Sequence, residues 1–201
     1  MNKPIIAVDA DDTIFDENNA LRLYMNQHYG FRHMPKDYDV PGPFYNYWQN
    51  IWQLSPEETA ARYEEFALSP YKAKLEPLTN AIEVLQNLRH DYDLVVITSR
   101  DHRVVTMTHR VLTEHYPGVF KDVHFVPLWG GNQKATKAKI CVDIGAKYLI
   151  DDSFEHCQLT AKAGVNALLF GDYGWNRDQA LTPLVTRVKN WAAVKEYFDA
   201  K

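Results

Sequence analysis

The 201-residue chain reads as an α/β protein, a doubly wound parallel sheet with a small helical cap inserted after the first strand. Three observations predict this. Short β-rich runs alternate with helical patterns along most of the chain, the succession that builds a parallel sheet. The runs are near-continuously apolar rather than alternating, as strands covered on both faces must be. One interval, residues 17–77, breaks the rhythm with helical patterns and no convincing buried strand.

In chain order, the first strand is expected at residues 5–8, ending in Asp9-Ala10-Asp11-Asp12-Thr13. Helical patterns follow at 18–28, 44–54 and 56–68. Pro35, Pro41, Gly42 and Pro43 mark a loop between the first two, and Pro70 and Pro77 bound the far end. An insertion at this point lies over the edge where the first strand ends, a natural place for a lid. Further strands are expected at 94–97, 124–126, 148–150 and 167–170, separated by helices at 80–89, 104–115, 137–144 and 154–163. A last helical stretch, 179–198, is expected to pack back on the sheet. The domains are then a core of 1–16 and 78–201 and a cap of 17–77.

Composition bounds the function. A chain of this length that is 46% hydrophobic builds one good core with room for a modest insertion. A net charge of −4 argues against polymeric nucleic acid as partner, since that needs a basic face. No run approaches the roughly 20 apolar residues of a membrane span, and the N-terminus lacks a signal-peptide pattern. Cys141 and Cys157 have neither metal nor redox spacing and read as reduced, packed thiols of a cytoplasmic protein. Oligomeric state is left open.

The chemistry starts at Asp9 and Asp11. Residues two apart on an extended strand point the same way, so continued extension would give both carboxylates one small space. Like charges that close need a cation between them or a retained proton. A second apolar run, Tyr148-Leu149-Ile150, ends in Asp151-Asp152, and parallel neighbouring strands would bring all four acids to one sheet edge. Such an oxygen-rich cluster suits Mg²⁺, which binds through carboxylates and a substrate phosphate. Asp12 and Asp152 have an alternative as helix caps.

With these motifs in order, the chain resembles the haloacid dehalogenase-like (HAD) superfamily. Asp9-Ala10-Asp11-Asp12-Thr13 matches the first phosphatase motif, with Asp12 where Gly is commoner. Val95-Val96-Ile97-Thr98 matches the second, a Lys before the last motif the third, and Asp151-Asp152 the fourth. The resemblance implies a Rossmann-like HAD core and a Mg²⁺-dependent phosphomonoester hydrolase. Asp9 would be the nucleophile that carries an aspartyl-phosphate, and Asp11 the acid and base. Asp9, the Asp11 main-chain carbonyl, Asp151 and Asp152 would serve the metal, and Thr98, Ser99 and Lys137 the phosphate. Which of Asp151 and Asp152 binds directly stays open. Among Lys134, Lys137 and Lys139, Lys137 lies nearest the stripe that buries Ile140, Cys141 and Ile144.

Substrate residues are expected in the cap. Phe44, Trp48 and Trp52 recur every four residues, as a buried helix face does, while Tyr45 and Tyr47 lie off that stripe and could stack on a base. Trp48 is kept as a candidate contact, as is Arg100, which has either a phosphate, a cap acid or plain solvent as partner. The eight histidines show no metal spacing, and Gly130-Gly131 reads as a turn. The segment from Gly171 to Arg177 either reaches the site edge or is a structural loop. The early cap, the paired acids before Ser153 and Trp175-Asn176-Arg177 resemble the 5′(3′)-deoxyribonucleotidase group, implying small nucleoside (deoxy)monophosphate substrates. The alternatives are a phosphatase for a sugar phosphate or other small phosphometabolite, and a catalytically silent HAD-like binding module.

Overall fold

The computed structural model describes residues 3–126 and 136–201; the Gly130-Gly131 turn and Lys134 lie outside them. Six parallel strands are found among the described residues, in the order β3-β2-β1-β4-β5-β6. They are β1 (Ile5–Val8), β2 (Asp93–Thr98), β3 (Phe120–Phe125), β4 (Ala146–Asp151), β5 (Asn166–Phe170) and β6 (Val185–Val188). β1 and β4 are adjacent, with Val8 opposite Ile150. Strand order reverses between them, so a crevice opens at their C-terminal ends, the place where open α/β sheets bind ligands.

Alternation along β1 separates two layers of core. Ile6 and Val8 face a large cluster with Val84 and Leu85 of α4 (Ala81–Leu88), Val111 and Leu112 of α5 (Val105–His115) and Trp191 and Val194 of α8 (Trp191–Asp199). Ala7 faces the other way, toward Cys141 of α6 (Lys137–Asp143). Next to it, Ala167 and Leu169 meet Cys157 and Ala161 of α7 (Phe154–Lys162). Both cysteines are buried free thiols.

Between β1 and α4 the chain forms α1 (Glu17–Tyr29), α2 (Tyr47–Trp52) and α3 (Pro56–Leu68). α3 starts on a reciprocal cap, Glu58 N–H donating to the Ser55 hydroxyl and Ser55 N–H to the Glu58 carboxylate, with Pro56 at the first helical position. The path out and the path back are joined at their feet. Asp16 N–H donates to the Glu76 carbonyl, Leu78 N–H donates to the Ile14 carbonyl, and Phe15 bridges Pro77.

Three expectations are corrected. The stretch 179–198 is not one helix: β6 adds a strand beside β5, and α8 starts only after Asn190, whose side chain accepts from Ala193 N–H. Val185-Thr186-Arg187-Val188 is a short edge strand whose exposed Thr186 hides its β-pattern inside a helical periodicity. β3 lies earlier than 124–126, because its polar sequence, Phe-Lys-Asp-Val-His-Phe, suits a sheet edge and lacks the apolar run of a central strand. Residues 44–54 do not form one helix either, since Phe44–Asn46 is a 3-10 turn and α2 stops at Gln53 in the left-handed region.

Candidate active site

Asp9 immediately follows β1 and its N–H donates to the Ile150 carbonyl (2.9 Å), which ties it to the neighbouring strand. Extension then ends. Ile14 and Phe15 N–H groups both fold back on the Ala10 carbonyl, and Asp12 takes a φ of 53°. That left-handed turn is one Asp tolerates better than most side chains, which accounts for an acid where Gly is commoner. The Asp12 carboxylate accepts from Asn18 N–H in the first turn of α1 (2.8 Å), although Asp16 holds the N-cap position. Asp152 is not a cap. Ser153 takes that position on α7, and Asp152 is held by Trp175 instead.

The acids form two groups with different compensation. Asp9, Asp151 and Asp152 each offer a carboxylate oxygen within 4.8 Å of the others, and all three are buried. Lys137 lies between two of them, 2.7 Å from Asp9 and 2.7 Å from Asp151. Three carboxyl groups facing one ammonium are short of positive charge. Hard oxygen donors with that deficit fit a divalent cation such as Mg²⁺. Burial and the Asp151 charge push Asp9 up to about 6 despite Lys137. Burial, then Asp151 and Asp9, drive Asp152 well above the carboxylate range. Asp151 goes the other way: burial alone would raise it, but Lys137 and His156 hold it low. Ser153 N–H also donates to Asp151 (2.9 Å), and the His156 ring lies 3.3 Å away.

Asp11 belongs to the second group. Arg100 forks onto it through Nε to Oδ2 (2.9 Å) and Nη2 to Oδ1 (2.7 Å), a bidentate pair. Lys72, from the 3-10 turn near the end of the insertion, reaches Asp11 Oδ1 at 2.9 Å and also pairs with Glu17. Tyr63 of α3 donates its hydroxyl to Glu17 (3.2 Å). Burial would raise Asp11, yet Arg100 and Lys72 overcome it and hold the carboxyl well below its usual range. Here two cations match two acids.

The remaining expected residues are placed as follows. Thr98 ends β2, is 1% exposed, and its hydroxyl accepts from Arg100 N–H (3.3 Å). Ser99 beside it is half-buried. Lys137 reaches the acids, whereas Lys139 is exposed and pairs with Asp143. Arg100 meets neither a cap acid nor solvent; its partner is the core's own Asp11. Tyr47 is corrected: it is 2% exposed, donates to the Tyr38 carbonyl (2.7 Å) and packs on Trp175, so it presents no free face to a base. Trp48 stacks on Tyr63 and donates its indole N–H to Asn18 (3.0 Å), leaving it half-buried near the insertion's contact with the core. Tyr45 lies in the 3-10 turn Phe44–Asn46, and its side chain lies outside the described residues.

Sequence reasoning missed Lys72, Glu17, Tyr63 and His156. Their partners are distant in sequence or, for His156, one turn into a helix, and no spacing rule points to them. The sequence offers Trp175 and Asn176 only as part of a loop with two possible roles. In the structure that loop reaches the site, since both residues hold Asp152.

Comparison with known proteins agrees with this geometry. A family model described as 5′ nucleotidase, deoxy (Pyrimidine), cytosolic type C protein matches residues 3–201. A search of curated protein sequences finds no match. Among solved structures, the chain is similar to SP0104 from Streptococcus pneumoniae, a haloacid dehalogenase-like family hydrolase, at 15% identity and a TM-score of 0.69, with 98% of each chain covered. It is also similar to a candidate phosphatase from Clostridium difficile, at 16% identity and TM-score 0.70 over 98% of this chain and 99% of the other. A third is the magnesium-bound structure of YfnB from Bacillus subtilis, at 12% identity and TM-score 0.63 over 99% and 100%. At such identities the structures speak for the fold, a HAD-like α/β sheet. The family model, spanning nearly every residue, adds the identity: this chain belongs to the cytosolic type C 5′-nucleotidase family and is a phosphatase of the 5′-nucleotidase type.

Proposed function

We propose that the chain hydrolyses small phosphomonoesters, nucleoside (deoxy)monophosphates foremost, through a phospho-Asp9 intermediate. The observation that carries this reading is the undercompensated trio of Asp9, Asp151 and Asp152 with Lys137 between them, at the crevice between β1 and β4. Mg²⁺ bound there by Asp9, Asp151, Asp152 and the Asp11 carbonyl would offset the repulsion between an anionic nucleophile and an anionic phosphoryl group.

The chain's own residues divide the work. An Asp9 oxygen attacks phosphorus in line as the bond to the leaving oxygen breaks, and Asp11 gives that oxygen a proton. Water then attacks the phospho-Asp9 phosphorus, Asp11 takes the water's proton, and inorganic phosphate leaves with Asp9 restored. Thr98, Ser99 and Lys137 bind phosphoryl oxygens. Arg100 and Lys72, which hold Asp11 here, are the cations an incoming phosphoryl dianion would draw away from it. Residues 17–77 act as a cap, a role supported by their joined feet and by Lys72 reaching Asp11. A cytoplasmic location follows the family's cytosolic description. No helix among the described residues is long and apolar enough to cross a membrane.

The substrate class rests on the family description and on Trp48. A second reading, a sugar phosphate or similar small phosphometabolite, is favoured by the burial of Tyr47 and the packing of Trp48 against Tyr63. Phosphate release with Mg²⁺ across nucleoside 5′-monophosphates and sugar phosphates separates them. Turnover led by deoxynucleotides upholds the first; equal or faster turnover of sugar phosphates replaces it with the second. Mg²⁺-independent release, or full activity in Asp9→Asn, would falsify the mechanism.

A further inference from the structure

Asp152 is oriented by a loop that is itself clamped by the insertion. Trp175 donates its indole N–H to Asp152 Oδ2 at 2.8 Å, and among the described residues no protein donor reaches the other oxygen. The Asn176 side-chain amide donates to the Asp152 carbonyl and to the Phe170 carbonyl, each at 2.8 Å, which fixes the backbone as well. Tyr173 lies flat on Trp175, with centroids 4.5 Å apart and planes 9° from parallel, and its hydroxyl donates to the Asp12 carbonyl (2.8 Å). One short loop after β5 thus grips the ends of both strands that carry the acids.

The insertion closes over the same loop. Tyr47 meets the Trp175 ring edge-on at 5.0 Å, Gly42 N–H donates to the Gly174 carbonyl (3.1 Å), and Asp39 pairs with Arg177. The contact is tight enough to require glycine: a Cβ on Gly174 would stand 1.9 Å from the Val40 carbonyl oxygen and 2.6 Å from the Tyr47 hydroxyl. Tyr47 and Trp175 are both buried, at 2% and 5% exposure. A rigid aromatic contact of this kind transmits position, because a tilt of Trp175 moves the N–H that aims Asp152.

We infer that Trp175 is a positioning residue through which docking of the insertion sets the Asp152 carboxylate for binding a divalent cation. The inference rests on the metal role proposed for Asp152, and the experiment tells the two apart. Direct Mg²⁺ binding is measured by titration calorimetry on the full chain, with thermal melts as the check on folding. Trp175→Phe keeps the ring and removes the donor, and is expected to weaken Mg²⁺ binding by about 10–100-fold, the usual cost of losing a partner of a metal ligand. Tyr47→Leu, which touches Trp175 but no acid, is expected to weaken it in the same direction by a smaller factor. In both, turnover should recover at saturating Mg²⁺, which a general loss of structure would not allow.

Asp152→Asn is the reference. If it abolishes Mg²⁺ binding while Trp175→Phe stays within about twofold of wild type, the positioning role is overturned and the metal role stands. Weakening in Trp175→Phe with none in Tyr47→Leu overturns the link to the insertion. If Asp152→Asn binds Mg²⁺ like wild type, the metal role itself fails. Should Trp175→Phe not fold, Tyr47→Leu and Gly174→Ala decide, and unchanged Mg²⁺ affinity in both overturns the inference.

Discussion

The two acid groups stand side by side and are built on opposite principles. Around Asp9, three buried carboxylates share one ammonium, and burial leaves Asp9 and Asp152 with raised pKa values. Around Asp11, Arg100 and Lys72 match Asp11 and Glu17, and the Asp11 carboxyl is held low. A protein that only needed stability would not crowd three buried carboxyl groups around one ammonium beside a matched set, since buried acids short of partners are costly. The first group is therefore arranged for a cation that folding does not supply. The second is internally neutral and joins the insertion to the core.

Substitutions in the first group should give the largest effects. Asp9→Asn removes the proposed nucleophile and should lower phosphate release by at least about a thousandfold. It also removes one of the crowded charges, so the metal-free variant should melt no lower than wild type. Substantial residual turnover would show that the undercompensated trio is not the reacting centre. Lys137→Met strips the trio of its cation. Breaking a buried pair from one side typically costs about 3–5 kcal/mol, and denaturant unfolding should show a loss of that order in metal-free protein. Added Mg²⁺ should recover part of it; a loss untouched by Mg²⁺ would place the cation elsewhere.

The second group should respond more mildly and in a coupled way. Lys72→Met leaves Asp11 with Arg100 and Glu17 with only the Tyr63 hydroxyl, at a cost of about 1–3 kcal/mol for a polar group left short of partners. Adding Glu17→Gln to Lys72→Met should then restore stability rather than subtract from it. A coupling energy of about 0.5–3 kcal/mol in a double-mutant cycle would measure the link. Strict additivity would mean that Lys72 and Glu17 do not act as a pair beside Asp11.

The two groups also differ in how far the sequence reveals them. Asp9, Thr98 and Asp151 sit at the ends of apolar strands, where periodicity marks the strand and its last residue marks the edge. The sheet and the acid trio were legible for that reason, and Lys137 followed from the buried stripe of α6. Arg100 pairs with a residue 89 positions away and Lys72 with one 55 away. Neither contact leaves a local pattern, because the first forms only when β1 and β2 pair and the second only when the two ends of the insertion meet. Tyr47 was misread for the same cause: lying off a stripe predicts exposure only if the helix continues, and α2 begins at Tyr47 after a 3-10 turn. β6 escaped because a four-residue edge strand with polar positions imitates helical spacing.

The smallest effect expected is on the pH dependence of stability, and its sign separates the acids whose pKa is raised from those held low. Asp9 has a folded pKa of about 6 against an unfolded value of 3.8, so between those values the native state holds the extra proton. Stability of the metal-free protein should therefore rise as pH falls from about 7 toward 5, by no more than about 1.4 kcal/mol per pH unit for each such proton. Asp11 and Asp151 are shifted downward, so what they contribute is fully present above 3.8 and is lost only below it. They cannot produce a change in the higher window. Mg²⁺ competes with the proton for Asp9, and saturating Mg²⁺ should flatten the rise. Denaturant midpoints at pH 7 and pH 5, with and without Mg²⁺, measure this directly. A metal-free protein that loses stability over that interval would mean that Asp9 does not hold its proton more tightly in the native state.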